Sequence, residues 1–158
     1  MLEVDALNLS FEELCWRLGV ATVVGGILGL DRELRGIAAG IRTHGLASLS
    51  SAAITVSALL LHVDLAEHGT PSTDPLRVVQ GLAQAIGFIA AGVIFVARGN
   101  VRNVTSAATI WLAATLGIAA GAGQYELLAV ATLLGILLVT IVRIAERYLP
   151  DSSKDHEG

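Results

Sequence analysis

A chain of 158 residues has the length of a single domain, and its composition narrows the class of protein further. Apolar residues make up 54% and charged residues only 15%, whereas a soluble domain contains about 25% charged residues. The formal net charge is −4 and the mean hydropathy is +0.70. These values exclude a disordered chain, a coiled coil and a polybasic nucleic-acid binder, so we expect no nucleic-acid partner. The composition is typical of an integral membrane protein, whose partner is the lipid bilayer.

Five segments are apolar enough to cross a bilayer, for which a helix needs ~20 apolar residues. We predict spans at residues 11–30, 43–63, 78–97, 104–125 and 126–145. Residues 1–148 then form one transmembrane domain, and residues 149–158 form a short polar cytoplasmic tail. The expected fold is all-α, a compact bundle of five transmembrane helices. No basic residue precedes Arg17, so we expect no cleavable signal.

The first span contains Glu13 and Arg17 four residues apart, a spacing at which they can pair on one helix face. Small residues recur at the same interval further along the chain. The pairs are Gly25 and Gly29, Gly81 and Ala85, Gly87 and Ala91, and Gly117 and Gly121. Such spacing allows helix backbones to approach closely in lipid. We expect close packing within one bundle, with one face left for a subunit interface in a homo-oligomer, of which a dimer is favoured.

The distribution of basic residues predicts the orientation, because cytoplasmic loops are enriched in Lys and Arg. Eight of the ten basic residues lie on one side of the predicted spans. They are Arg32, Arg35, Arg42, Arg98, Arg102, Arg143, Arg147 and Lys154. We therefore predict that the N-terminus is outside and the C-terminus inside.

Polar side chains concentrate in two segments on the predicted cytoplasmic side, residues 30–45 and 98–109. Asp31 and Arg35 have the spacing of an ion pair on one helix, which leaves Glu33 for another partner. We expect Asp31 and Glu33 to form ion pairs with arginines of the facing loop or helix ends, Arg42 and Arg102 among them. Helix N-termini beside arginines favour an anion. The candidate ligand- or partner-binding residues are Asp31, Arg32, Glu33, Arg35, Arg42, Thr43, His44, Arg98, Arg102 and Thr105. A solvated loop that only sets the topology remains the alternative.

No sequence motif indicates an enzyme or a cofactor. The chain has no Gly-rich phosphate loop, no metal-spaced His pair and no nucleophile elbow. A Mg²⁺ cage needs clustered oxygen ligands, and in the polar loops only Asp31 and Glu33 supply carboxylates. We therefore assign no metal site with confidence, and these two carboxylates would hold a cation only if the protein were a transporter.

Several motifs occur in a distinctive order along the spans and their loops. They are Gly26-Ile-Leu-Gly-Leu-Asp-Arg-Glu-Leu-Arg35, Ala39-Gly-Ile-Arg-Thr-His44, Gly87-Phe-Ile-Ala-Ala-Gly-Val-Ile94, Val101-Arg-Asn-Val-Thr-Ser-Ala-Ala108 followed by Trp111, and Gly117-Ile-Ala-Ala-Gly-Ala-Gly-Gln-Tyr125. In this order they resemble the signature of the MgtC/SapB family of bacterial inner-membrane proteins, over roughly residues 18–145. The virulence-associated members carry a cytoplasmic C-terminal domain, so the resemblance implies a short form of the family here.

The resemblance implies a multi-pass protein of the bacterial inner (plasma) membrane, linked to growth in low magnesium. We interpret the chain as a non-enzymatic protein that binds a membrane partner or small ligand at its cytoplasmic polar face. The alternative is a small transporter or channel for Mg²⁺ or another ion that acts as an oligomer, and a purely structural subunit is the third possibility. Carboxylates facing a water-filled path would favour transport, whereas a sealed, Gly-packed bundle would favour binding.

Reporter fusions test the predicted topology. We expect fusions at Asn8 and His68 to report an external position, and fusions at Gly36, Gly99 and Ser153 an internal one. The reason is the excess of basic residues on one side of the spans. An external signal from Gly99 would contradict the orientation.

Overall fold

The computed structural model describes residues 9–69, 74–97 and 100–148. In chain order these residues form α1 (Phe11–Leu34), α2 (Ile41–Glu67), α3 (Leu76–Val93), β1 (Phe95–Ala97), β2 (Asn100–Arg102), α4 (Val104–Gly121) and α5 (Tyr125–Tyr148). Each of these five helices is long and apolar enough to cross a membrane, which confirms the predicted all-α, five-span fold. The predicted tail, residues 149–158, lies outside the described residues.

The third helix is shorter than the sequence suggested. It ends at Val93, whereas the prediction extended the span to residue 97. Strand β1 follows and pairs antiparallel with β2, with Phe95 opposite Arg102. Apolar length does not separate a helix from a strand, and β-branched and aromatic residues at 93–96 favour the strand. The Asn103 amide donates to the Val93 carbonyl at 3.2 Å and so links the end of α3 to the start of α4.

Helix α2 lies between α1 and α4, and the closest contacts to it are made by glycines. These glycine contacts are Gly25 with His44, Gly29 with Gly40, Gly117 with Ser48 and Gly121 with Ala52. A Cβ built on Gly25 would lie 2.6 Å from the His44 carbonyl oxygen, and one on Gly121 would lie 2.6 Å from that of Ala52. The predicted close packing of the Gly25–Gly29 and Gly117–Gly121 faces is therefore confirmed. By contrast, Gly81 and Gly87 have open space beside them.

The interior of the bundle is built around α4. In the membrane-spanning part of α4, 61% of the residues are buried, against 17% in α3 and 11% in α5. The fully buried side chains include Ile110 and Leu116, together with alanines on every side. Helices α3 and α5 therefore lie at the periphery, where lipid covers most of their surface.

A polar cluster joins three helices at the end of the bundle where α4 finishes. The Arg17 Nε donates to the Glu13 carboxylate at 2.8 Å, which confirms the predicted pair. The same guanidinium donates to the Gly121 carbonyl at 2.9 Å, and the Tyr125 hydroxyl donates to Glu13 at 2.9 Å. Arg17 of α1 thus satisfies a carbonyl that the end of α4 leaves without a helical partner, and Glu13 connects α1 to Tyr125 at the start of α5.

Replacing Gly117 with Ala tests the packing of α2. The new Cβ would overlap the Ser48 backbone, so the helices must separate, at a cost of about 1–3 kcal/mol in the free energy of unfolding. The control is Gly19→Ala, on a helix position with nothing within 4 Å. That change should be neutral or slightly stabilising, because Ala has the higher helix propensity. Equal unfolding midpoints for both variants in detergent would contradict this account.

Candidate functional site

A cavity of about 220 Å³ lies between α1, α4 and α5, at the end predicted to be cytoplasmic. Its polar lining consists of Asp31, Arg32, Arg35, Thr105 and Thr109, and its apolar lining of Ala108, Leu112, Gly135, Leu138, Val139 and Val142. The polar residues come from the last turn of α1 and the first turns of α4. A larger groove of about 430 Å³ between α1 and α2 contains none of the predicted site residues. Several of the predicted polar residues therefore line this cavity.

The charged end of the cavity carries an excess of positive charge. The Arg35 Nε lies 3.2 Å from the Asp31 carboxylate, which confirms the pairing expected from their spacing. Arg32, between them in sequence, is 7% exposed and lines the same cavity. Among the described residues that line the cavity, two guanidinium groups and one carboxylate give one net positive charge, which favours an anionic ligand.

His44 is fully buried behind the cavity and is connected to it through Thr109. Its Nδ1 lies 3.0 Å from the Gly40 carbonyl oxygen, which can only accept, so Nδ1 carries a proton. Its Nε2 lies 2.9 Å from the Thr109 hydroxyl, which also lies 3.0 Å from the Ser106 carbonyl oxygen. In the neutral ring the hydroxyl donates to Nε2. In the doubly protonated ring Nε2 donates to Thr109, and the hydroxyl turns to Ser106. The protonation of His44 thus decides which way Thr109 points its proton.

Glu33 has a different partner from the expected one. Its Oε2 accepts the Ile41 backbone N–H at 3.1 Å and so satisfies an open donor at the start of α2. The N-cap residue is Gly40, and a Cβ there would overlap the Glu33 carboxylate. The predicted loop carboxylate therefore holds the α1–α2 turn together and does not line the cavity.

Among the described residues neither Asp31 nor Glu33 forms an ion pair with Arg42 or Arg102. The side chains of Arg42 and Arg102 are exposed outside the cavity. Asp31 pairs with Arg35, and Glu33 accepts a backbone N–H.

The other predicted site residues fall into three groups. Thr105 lines the cavity, as expected. Thr43 lies in the first turn of α2 but does not line the cavity. Arg98 lies outside the described residues. In the segments that the structure describes, no three His, Cys, Asp or Glu side chains are grouped as metal ligands.

Sequence reasoning missed the apolar half of the cavity. Leu112, Gly135, Leu138, Val139 and Val142 come from two spans that carry no charge at this depth. Nothing in their sequence distinguishes them from lipid-facing residues. Thr109 was also missed, although it lies one turn after Thr105 on the same helix face, and that spacing was the available signal.

Comparison with known proteins gives a consistent family match. The MgtC family model matches residues 18–148. The "Putative magnesium transporter YhiD" of Escherichia coli is 36% identical over 70% of this chain and 52% of its own length. The "Protein MgtC" of Brucella abortus is 35% identical over 80% of this chain and 50% of its own. The "Protein SapB" of Bacillus subtilis is 37% identical over 77% of this chain and 53% of its own length. This chain spans about half the length of these curated relatives. No solved structure matches.

Replacing Thr109 with Val tests its connection to His44. The change removes the hydroxyl from a buried ring nitrogen, and an unsatisfied buried polar group costs about 1–3 kcal/mol. The control is Thr115→Val on the same helix, where the hydroxyl is exposed and only donates to its own helix at 3.0 Å. We expect that control to change stability by less than about 0.5 kcal/mol. Thermal unfolding in detergent measures both, and equal melting temperatures would mean that the His44–Thr109 hydrogen bond contributes nothing.

Proposed function

The chain belongs to the MgtC family and is a multi-pass protein of the bacterial inner membrane, and on this premise we propose that it acts by binding, without catalysis. Its ligand is a small anion or an acidic group of a membrane partner, held at the polar end of the cavity. Of the relatives named above, one is named as a putative magnesium transporter and none is named as an enzyme.

The observation that carries this proposal is the charge of the cavity. Among the described lining residues, Arg32 and Arg35 outnumber one carboxylate, that of Asp31, and two threonines lie beside them. Arginine and hydroxyl donors suit phosphate or carboxylate oxygens. The Thr105 hydroxyl makes no hydrogen bond to any described residue, so it has a donor for a ligand.

We connect this binding to magnesium or ion stress. One relative carries magnesium in its name, and the family resemblance implies growth in low magnesium. A binding protein can serve such a response without transporting the ion. A ligand that binds one conformation of the protein better than another increases the population of that conformation, and with it the amount of a complex that a partner forms with it.

The alternative function is Mg²⁺ or other ion transport, which the name of the Escherichia coli relative favours. A cation path normally has acidic side chains inside the membrane. Here the buried polar residues of α2 are His44, Ser48, Ser51 and Thr55, none of which is acidic. Asp31 lies 3.2 Å from Arg35, so a cation would have to compete with a guanidinium for that carboxylate. These contacts favour binding over transport.

We also propose that the protein is a homo-oligomer, in the simplest case a dimer that associates through α3. Gln80 and Gln84 are exposed on this helix, and neither amide bonds to another side chain in the described part of the chain. Gly81, next to them, has open space beside it. An amide facing lipid is costly, whereas two copies of Gln84 can donate to and accept from each other. The mass of the purified complex in detergent decides between one copy and two.

Two substitutions in the cavity separate binding from transport. Asp31→Asn raises the net positive charge of the cavity, so an anion should bind at least as well and low-magnesium growth should persist. Arg35→Gln removes a donor and should abolish growth. The control is Arg102→Gln, which is exposed outside the cavity. Complementation of a strain without its own family member measures all three, at matched protein levels.

The opposite pattern would support transport. If Asp31→Asn abolished growth, and also abolished saturable Mg²⁺ flux into liposomes that hold the unmodified protein, the binding proposal would be wrong. Loss of growth with Arg102→Gln would indicate that the functional site lies outside the cavity.

A further inference from the structure

We propose that the cavity binds the phosphate-bearing head and the adjoining part of one acyl chain of an anionic membrane lipid. This inference rests on the proposed binding function and names its ligand class. The phosphate lies against Arg35 and Thr105 at the polar end, and the chain follows the wall that α4 and α5 form.

The order of residues along α4 and α5 supports an amphiphile over a free anion. Along α4 the lining changes from Thr105 to Leu112 in seven residues, or about 10 Å of helix. Along α5 it runs from Val142 near the polar end to Gly135. Charged and hydroxyl groups thus occupy one end only. An inorganic phosphate would occupy only the polar end, whereas the head and chain of a lipid contact both ends at once.

The depth of the two ends matches the position of a lipid in one leaflet. Asp31 and Arg35 lie at the end of α1, and Thr105 is the second residue of α4, so the polar end is near the membrane interface. Leu112 lies midway along α4, towards the bilayer centre. A lipid in that leaflet places its head and chain at these same depths.

The lipid can enter from the side of the bundle. Leu138 and Val142 line the cavity, and these two residues are 64% and 45% exposed on the lipid-facing surface of α5. Gly135 admits the Leu112 side chain, because a Cβ there would lie 2.7 Å from the Leu112 Cδ2. The apolar wall is therefore continuous with the hydrocarbon around the protein, and the cavity needs no passage through water.

The test measures the melting temperature of the full chain in dodecyl maltoside against four added probes. They are oleoyl lysophosphatidic acid, lysophosphatidylcholine, glycerol 3-phosphate and inorganic phosphate. We expect a saturable rise with lysophosphatidic acid, because a ligand that binds only the folded state stabilises it. We expect a smaller rise with the zwitterionic lipid and none with the two soluble phosphates. An equal rise with inorganic phosphate would overturn the lipid assignment in favour of a free anion, and so would no rise with any probe.

Variants of each end of the cavity localise the effect. Thr105→Val removes a head-group donor and Ala108→Leu fills the apolar part, and each should weaken lysophosphatidic acid binding about tenfold or more. The controls are Arg102→Gln and Ala129→Leu, neither of which lines the cavity. If the controls lost binding equally, the lipid would lie elsewhere. If no lipid bound but Arg35→Gln still abolished growth and Arg102→Gln did not, the proposed function would stand and only the lipid assignment would be wrong.

Discussion

Helices in lipid gain little by burying apolar side chains against each other, so this bundle depends on how closely its backbones approach. The structure meets that constraint at α2, which glycines of α1 and α4 contact on two sides. Close approach increases dispersion contacts, each of which is small but which are numerous in a packed interface. It also explains why the interior of α4 is lined with alanine: larger side chains would force the three helices apart.

The same constraint explains where the cavity is. The contacts that hold α1, α2 and α4 together leave α5 at the periphery, with only 11% of its span buried. Beside the loosely packed α5, the side chains of Asp31, Arg32 and Arg35 at the end of α1 line the resulting space. A tightly packed core and a cavity of about 220 Å³ next to it are thus two results of one packing arrangement.

Much of the fold follows from local sequence rules, and the site follows only in part. The span count, the Glu13–Arg17 and Asp31–Arg35 pairs and the packed glycine faces depend on spacing along one helix, which the sequence contains directly. The partner of Glu33 and the link from His44 to Thr109 join residues of different helices, which single-helix spacing cannot predict. The β1–β2 pair was missed because hydrophobic length is the same for a helix end and a short strand.

The cavity and the helix packing share residues, so ligand binding cannot be independent of the bundle. Thr109 lines the cavity and hydrogen-bonds His44, whose other ring nitrogen bonds Gly40 at the start of α2. Gly40 in turn packs against Gly29 of α1. A ligand that takes the Thr109 hydroxyl competes with His44 for it, and His44 must then change its protonation or its partner. These hydrogen bonds connect the lining of the cavity to the α1–α2 contact through His44, a side chain that no solvent reaches.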